Sequence, residues 1–439
     1  MRGTVQAPAK GAEQRAPLYR WVVYGLLALC YFLANFHRLA TGVMQEELTA
    51  VFGLTAASFG NLGSMVFYAY MVMQVPTGIL VDTIGPRMTV TAGCLLTAAG
   101  SMMFSMANTL PLAYASRFLI GIGISVSYLS TLKVQAKWFR AEEFATITGL
   151  TFFIGNMGSL LAQTPLRLLV EKFTWRGTFA FFAVLSVMMA ALVFVFVRNA
   201  PEEKGYPPLA APAAPTGTEK NEQKQGLLQN LAGVLANRAN WPPFLICAAL
   251  CVTVTTLTGS FGTAYIRDVY ELTTVEASGY TAWMTVGIAV GAAGIGFLSD
   301  LTKRRKVYMV VFSGVAAVIW AYVVFLRGAQ PPLAAMKALY FLSGVSLAAY
   351  TLPYTVVKES NDAAHSGLST SLVGLLGFLG SSLGPVAVGK ILDRHSMALS
   401  GAPLYAKAFA LLAVCNIVGF VCALLIRETG GKNLFEQAE

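Results

Sequence analysis

Charged residues are scarce in this chain of 439 residues, because Asp, Glu, Lys and Arg together make up 12% of it. A soluble globular protein usually carries about twice that share. Hydrophobic residues reach 56%, and the stretches 178–197 and 408–426 contain no charged residue at all. A helix needs roughly 20 apolar residues to cross a bilayer. The composition therefore excludes an ordinary soluble domain and predicts a membrane protein.

Cysteine and catalytic motifs are also sparse. The six cysteines all lie in apolar stretches, where neither a zinc site nor a disulfide framework is expected. The sequence has no catalytic triad, metal-binding cluster or Walker loop. Gly121-Ile-Gly123 lies inside an apolar stretch with no strand before it, so it does not match a nucleotide-binding loop. We therefore expect no enzyme activity, no cofactor and no metal.

The formal net charge of +10 has two explanations, which are nucleic-acid binding and membrane topology. Lys and Arg gather in alternate loops, as they do on the cytoplasmic side of membrane proteins. Examples are Arg87, Arg140, the cluster 303–306 and Arg427. We predict a multi-pass protein of a bacterial inner membrane with both termini in the cytoplasm. The lipid bilayer is then its surroundings, nucleic acid is not a partner, and a monomer is expected.

The apolar stretches predict an all-α membrane protein with twelve transmembrane helices in two pseudo-symmetric bundles. The predicted spans are 21–44, 59–81, 87–107, 111–136, 145–168, 176–197, 241–265, 277–299, 306–326, 333–357, 366–391 and 404–426. A polar, proline-rich segment at 199–240 is typical of a linker. It separates six-helix bundles at 21–198 and 241–427, and short cytoplasmic tails are expected at 1–20 and 428–439.

The two halves repeat the same motifs. The matching pairs are Gly78 with Gly296 and Asp82 with Asp300, 218 positions apart, and Gly155 with Gly377 and Gly158 with Gly380, 222 positions apart. Parallel repeats about an axis normal to the membrane place a binding site between the halves, near the midplane.

The loop between the second and third spans resembles the signature loop of the major facilitator superfamily. The residues that carry the resemblance are Gly78, Asp82, Gly85 and Arg87, with Asp300 and Arg304 in the second half and Arg117 to Gly123 at the start of the fourth span. The resemblance covers the whole chain. It implies the twelve-helix fold of that superfamily, secondary active transport by alternating access, and a gate formed by these loop residues. The alternative is that the loop residues only set topology.

Polar residues within the spans are the candidates for a solute site, because they are costly to place in a membrane and usually serve function. They are Asn35, His37 and Arg38 in the first span, Tyr68, Tyr70 and Gln74 in the second, Lys133 in the fourth, Asn156 and Gln163 in the fifth, and Tyr350 and Tyr354 in the tenth. Gly78 is expected to let helices approach closely.

The signs of these charges indicate an anionic solute. The interiors of the predicted spans contain Arg38, His37 and Lys133 but no Asp or Glu. An unpaired cation in a medium of low dielectric constant costs several kcal/mol, so the natural counter-charge is the solute. An arginine also offers a two-pronged donor that suits carboxylates and phosphates.

A narrower resemblance supports this. Phe36-His37-Arg38 and Lys133 are similar to positions of two anion-carrying branches, the organophosphate:phosphate antiporters and the anion:cation symporters of sugar acids. This implies that Arg38 and Lys133 bind the anion. The symporters usually have an acidic residue where His37 stands, and Thr256 occupies the position of the antiporters' second arginine. A carboxylate or sugar acid is therefore favoured over a phosphate ester.

Several roles remain open. His37 either carries a coupled proton, since imidazole titrates near neutrality, or hydrogen-bonds a neighbouring helix. Arg38 either binds the solute or forms a structural ion pair, and Lys133 either binds the solute or extends to the membrane interface. Proton coupling is expected, with another ion or a counter-solute as the alternative, in symport or antiport. Alternatives for the whole protein are a drug or metabolite efflux carrier, a solute receptor that does not transport, and a membrane enzyme.

Overall fold

The computed structural model describes residues 10–207 and 227–430. The outermost parts of the predicted tails and the middle of the predicted linker lie outside these residues. The described residues include twelve helices that are long and apolar enough to cross a membrane, which confirms the predicted fold. They are Leu18–Val43, Ala56–Thr83, Gly85–Ser105, Leu110–Trp138, Glu142–Leu161, Thr164–Phe196, Arg238–Tyr270, Thr274–Thr302, Arg305–Leu326, Leu333–Glu359, Gly367–His395 and Gly401–Leu425. Shorter helices are Gln45–Phe52 and Leu227–Ala236.

The boundary between the fifth and sixth spans differs from the prediction. The fifth span was expected to continue to residue 168, but its helix ends at Leu161 and the next begins at Thr164. Pro165 stands in the first turn of that next helix, where its missing N–H costs nothing. The new helix then breaks at Thr174, whose φ of 63° is not helical, before it crosses the membrane.

Glycines set the same packing in both halves. A Cβ on Gly158 of the fifth span would meet the backbone of Phe32 in the first span. A Cβ on Gly380 of the eleventh span would likewise meet the backbone of Ala248 in the seventh. Small residues at such crossings let helices pack closely within a membrane. The glycine rows noted in the sequence therefore fix equivalent helix pairs.

The first, fourth, seventh and tenth spans hold equivalent places in the two halves, and each departs from regular α-helical geometry. The sixth span also does so at Thr174, and the ninth at Tyr322–Leu326. The first span passes into a 3₁₀ turn at Ala40–Val43, the fourth is interrupted at Val126, the seventh contains a π-turn at Leu257–Phe261, and the tenth contains a 3₁₀ turn at Ala348–Thr351. Irregular backbone at membrane depth is tolerated where it is buried in protein or lines a cavity. These four spans are therefore the natural walls of a central site.

We name the two ends of the molecule by their contents. The linker end is where the sixth span ends at Phe196 and the seventh begins at Arg238. The distal end is the opposite one, and it carries the short helix Gln45–Phe52. The outward faces between the ends are lined with exposed apolar side chains such as Phe297 and Val318. Such a surface suits lipid and would be a liability in water.

Candidate functional site

The backbones of the two halves meet closely toward the distal end. A Cβ on Gly42 of the first span would lie 3.0 Å from the carbonyl carbon of Gly259, in the π-turn of the seventh span. Gly60 of the second span faces the carbonyl of Pro385 in the eleventh span, and a Cβ there would lie 2.5 Å from its oxygen. Side chains larger than hydrogen would hold the halves apart at both points.

Charged side chains join the halves at the same end. Arg267 of the second half places its Nη1 2.9 Å from Oε1 of Glu46, and the hydroxyl of Thr274 donates to Glu46 at 3.1 Å. Arg167 binds Glu47 at 2.5 Å within the first half. Asp393, near the end of the eleventh span, accepts hydrogen bonds from two backbone amides at the start of the second span, at 2.7 and 2.8 Å.

We call these contacts the distal seal, defined by Gly42 with Gly259, Glu46 with Arg267, and Asp393 with Ala56. A carboxylate at a helix N-terminus also interacts favourably with the helix dipole, so Asp393 has two reasons to hold the second span. Gln163, between the fifth and sixth spans, donates to the carbonyl of Thr258, the residue before Gly259, at 3.1 Å. The seal therefore closes one end of the space between the halves.

At the linker end, the prominent ion pairs stay within a half. Lys133 of the fourth span pairs with Asp82 of the second. Arg305 pairs with Asp300 at 2.5 Å and with Glu359 at 3.1 Å. The described structure is thus fastened across the halves at the distal end, while its ion pairs at the linker end brace each half separately.

The signature loop is held to the end of the sixth span. Gly85 has a φ of +83°, a conformation that glycine adopts without steric cost, and a Cβ there would collide with the side chain of Asn199. The backbone amide of Arg87 donates to Oδ1 of Asn199 at 2.9 Å, and its Nε donates to the carbonyl of Phe194 at 2.8 Å. The close helix approach expected at Gly78 is not seen, because a Cβ there would meet nothing within 4 Å.

The second copy of the loop uses a different arginine from the one predicted. Arg304 is exposed, whereas Arg305 is buried and binds both Asp300 and Glu359. The helix of the ninth span begins at Arg305, and this turns its side chain back toward the eighth span. Both arginines stand in the basic run 303–306, so the sequence alone did not show which of them would bind the carboxylates.

Arg38 lies one helical turn to the linker side of the Gly42–Gly259 contact, directly behind the distal seal. Its Nη2 donates to Oδ1 of Asn35 at 2.7 Å, and Asn35 in turn donates to the carbonyl of Tyr31. No carboxylate among the described residues lies within ion-pair distance of Arg38. The predicted stripe of Asn35 and Arg38 is therefore present, with the guanidinium half-buried and available.

Aromatic side chains from both halves surround this charge. Tyr70 of the second span and Tyr350 of the tenth lie within electrostatic range of Arg38. The ring of Tyr70 is 5.0 Å from that of Phe378, which belongs to the second half. Arg38 therefore lies where the two halves face each other.

Two tyrosines that the sequence analysis missed belong to the same region. The rings of Tyr31 and Tyr128 are 5.2 Å apart, and both side chains are partly buried. Tyr31 precedes Asn35 by one helical turn, so extending the stripe of Asn35 and Arg38 backwards would have found it. Tyr128 follows the interruption of the fourth span, for which the sequence carries no proline or other signal.

Gln74 and Tyr354 come together one turn nearer the linker end than Tyr70 and Tyr350. A Cβ on Gly374 of the eleventh span would lie 3.3 Å from Nε2 of Gln74 and 3.5 Å from the hydroxyl of Tyr354. This glycine therefore leaves room for polar groups from both halves.

The other predicted site residues make different contacts. His37 is fully buried, with its ring beside those of Phe179 and Phe182 in the sixth span. Asn156 donates to the carbonyl of Phe152 in its own helix, and Tyr68 is partly buried in the second span. Lys133 is engaged by Asp82, as described above.

Comparison with known families gives the fold a name. The sequence profile of the Major Facilitator Superfamily matches residues 27–385. The chain belongs to this superfamily. A solved bacterial homologue of the human lysosomal transporter Spinster, described as inward-facing and unoccupied, is 17% identical with a TM-score of 0.73, and the alignment covers 94% of this chain and 96% of that one. At 17% identity this likeness establishes the fold of the chain and nothing about its solute.

Curated relatives in the superfamily are equally distant. A probable sulfoacetate transporter of Cupriavidus necator is 22% identical, but the match spans 42% of this chain and 43% of that protein. A probable galactarate/D-glucarate transporter of Bacillus subtilis is also 22% identical, over 93% of this chain and 94% of that protein. The resemblance of this superfamily member to known carriers thus extends along nearly its whole length.

Proposed function

We propose that the protein is a secondary active transporter of a small organic anion that carries carboxylates, such as a sugar acid. The transporter lies in a bacterial inner membrane with both termini in the cytoplasm, so the linker end faces the cytoplasm. The solute binds between the halves at Arg38, with Asn35, Tyr70 and Tyr350 around it. The protein works by alternating access and performs no chemistry on its solute.

The observation that carries this proposal is the unmatched charge of Arg38. At the ends of the molecule, Arg167, Arg267 and Arg305 each have carboxylate partners within 4.0 Å. Arg38, behind the distal seal, has one hydrogen bond to a neutral amide oxygen instead. A half-buried guanidinium without a carboxylate partner is well suited to bind a solute that carries a carboxylate. A guanidinium and a carboxylate pair most strongly through two parallel hydrogen bonds.

The names of the relatives support an anionic solute. Sulfoacetate, galactarate and glucarate all carry carboxylates, and the two relatives named for them share about a fifth of their aligned residues with this chain. The tyrosines near Arg38 provide hydroxyl groups that suit the hydroxyls of a sugar acid.

The way the halves are fastened supports alternating access. The distal seal joins the halves by one ion pair and by hydrogen bonds, which separate without disturbing either bundle. The ion pairs of Asp82 and Arg305 hold each half rigid while the two halves rock against each other. In the described conformation the solute would reach Arg38 from the linker end, past Gln74 and Tyr354.

The coupling proposal changes with the position of His37. A proton on His37 would put a second positive charge beside Arg117, whose Nη1 donates to the His37 carbonyl at 3.0 Å. We therefore propose that the charge of the solute controls the transport cycle. The protein changes between its two conformations readily when an anion neutralises Arg38, and slowly when the site is empty. Exchange of one anion for another should then outpace net uptake, whether or not a proton accompanies the solute.

Counterflow in proteoliposomes tests the proposal. Vesicles loaded with unlabelled galactarate should accumulate labelled galactarate through the wild-type protein, and Arg38→Gln should abolish this. Arg176→Gln is the matched control, since it removes an arginine bound to the Ser105 carbonyl at the distal end. Absence of counterflow with every carboxylate tried would favour a receptor, and transport of lipophilic cations that survives Arg38→Gln would favour a drug exporter.

A further inference from the structure

A second arginine without a carboxylate lies inside the N-terminal half. Arg117 of the fourth span is fully buried, and its Nη1 donates to the carbonyl oxygen of His37 at 3.0 Å. Its Nε and Nη2 have no hydrogen-bond partner among the described residues. Two of the three nitrogen atoms of the Arg117 guanidinium are therefore buried without a hydrogen-bond partner among the described residues.

The imidazole of His37 shares this environment. It is fully buried, and neither ring nitrogen has a hydrogen-bond partner among the described residues. The ring lies 5.5 Å from the ring of Phe182 and 6.1 Å from that of Phe179, and the charge of Arg117 acts on it. Four nitrogen atoms, two from Arg117 and two from His37, are thus buried without a hydrogen-bond partner among the described residues.

Among the residues that the structure describes, no carboxylate forms an ion pair with Arg117. In the described part of the N-terminal half, the carboxylates that form ion pairs lie at the two ends of the molecule and bind other basic groups. They are Glu46, Glu47 and Glu171 at the distal end, and Asp82 and Glu143 at the linker end. An uncompensated buried charge costs several kcal/mol. Buried polar groups are nearly always satisfied by protein, water or an ion, and only an ion also neutralises a guanidinium.

We propose that Arg117 and His37 bind a small inorganic monoanion, of the halide or nitrate class, in the interior of the N-terminal half. Nε and Nη2 of Arg117 donate to this ion, and the N–H of the His37 ring adds a further donor. Apolar rings around the site favour a weakly hydrated ion over a carboxylate with a bulky tail. The site is separate from the proposed solute site, because His37 faces the sixth span whereas Arg38 faces Tyr70 and Tyr350.

The bound ion would have a structural consequence for transport. It stabilises the contact by which Arg117 holds the first span, at the residue immediately before Arg38. The site itself rests on the geometry around Arg117 and stands even if the proposed solute is wrong.

Bromide retention tests the site on the whole purified protein. The protein is prepared in sodium bromide, exchanged into sodium gluconate of equal ionic strength, denatured, and assayed for bromide by mass spectrometry. In parallel, its melting temperature is measured while chloride replaces gluconate. We expect either retained bromide in equimolar amount, or a saturable rise in melting temperature with chloride. Wild-type protein that shows neither effect overturns the proposal.

Variants locate the effect. Arg117→Gln should lose the halide effect, whereas Arg176→Gln and Arg38→Gln should keep it. A halide effect that survives Arg117→Gln, or that disappears in Arg38→Gln, contradicts a separate site, and the second result would place the halide at the solute site. If Arg117→Gln does not fold, His37→Phe keeps the arginine and removes the ring N–H, and an unchanged chloride midpoint in that variant also counts against the proposal.

Discussion

At the scale of single residues, the site depends on one helical stripe of the first span. Tyr31, Asn35 and Arg38 succeed one another along it, each bonded to or packed on the next. Gly155 of the fifth span supports this stripe, because a Cβ there would collide with both the ring of Tyr31 and the amide of Asn35. Because Gly155 has no side chain, it leaves room for Tyr31 and Asn35 in the positions that orient Arg38.

Gly155→Ala should weaken solute binding without unfolding the protein. The added methyl must displace Tyr31 or Asn35, and overpacking of this kind costs about 1–3 kcal/mol. We expect the dissociation constant of the solute to rise about tenfold, on the scale where 1.4 kcal/mol is a factor of ten. Gly149→Ala, in the same span, is the control, since a Cβ there would meet nothing within 4 Å. Equal affinities of the two variants would show that the stripe does not position Arg38.

Lys133 should affect the rate of transport rather than the binding of solute. Its ammonium group pairs with Asp82 at the linker end, away from the tyrosines around Arg38. Lys133→Gln and Asp82→Asn should each change the transport rate in the same direction and leave the dissociation constant within about twofold, because a partly exposed pair contributes little to a distant site. A large loss of solute affinity in Lys133→Gln alone would return this lysine to the binding site.

The sequence pointed to several residues of the proposed site but not to the directions of their side chains. Arg38, Asn35 and Tyr350 stand out in the sequence because polar groups in apolar helices are costly. His37 was grouped with Arg38, whereas its ring packs against Phe179 and Phe182 of the sixth span. The pairing of Lys133 was not predicted for a related reason, since its partner Asp82 is on another helix and 51 positions away.

At the scale of elements, the broken spans and the distal seal set the conformation. The π-turn at Leu257–Phe261 contains no proline, so no residue pattern predicted that Gly259 would meet Gly42. The break between the fifth and sixth spans was predictable from Pro165 and was nevertheless placed too late. Apolar length predicts that a helix crosses the membrane, whereas the geometry within it depends on its neighbours.

Arg267→Gln should open the distal end, because it removes the ion pair with Glu46 that joins the halves. A partly exposed pair contributes up to about 1 kcal/mol, which shifts a two-state population by about fivefold. A cysteine introduced at Ser260, which is buried beside Gly259 in the seal, in a background without the six native cysteines, should react faster with an impermeant maleimide added outside the cell.

The control for this prediction is Glu171→Gln. Glu171 binds Arg167 at 3.2 Å in the same region, but both residues belong to the first half. Its loss should leave labelling at position 260 unchanged. If Glu171→Gln and Arg267→Gln accelerate labelling equally, the seal depends on local stability rather than on contacts between the halves.

At the scale of the whole molecule, the distribution of basic loops predicts the orientation in the membrane. Green fluorescent protein fused after Arg427 should fluoresce, and alkaline phosphatase at the same position should be inactive. A fusion after Gly53, at the distal end, should give the opposite pair of results. The reason is that short loops rich in Lys and Arg are retained in the cytoplasm. An active phosphatase after Arg427 would reverse the proposed direction of solute access.

The central claim is that the charge of Arg38 selects the solute, and calorimetric titration tests it most directly. Wild-type protein should bind galactarate, or another sugar acid, and should not bind the uncharged polyol of the same carbon skeleton. Hydrogen bonds to charged groups are worth about 1.5–3 kcal/mol, so Arg38→Gln should weaken acid binding by roughly 10- to 100-fold. Arg38→Lys should fall between the two. Equal affinity of wild type and Arg38→Gln for every acid that binds would contradict the account.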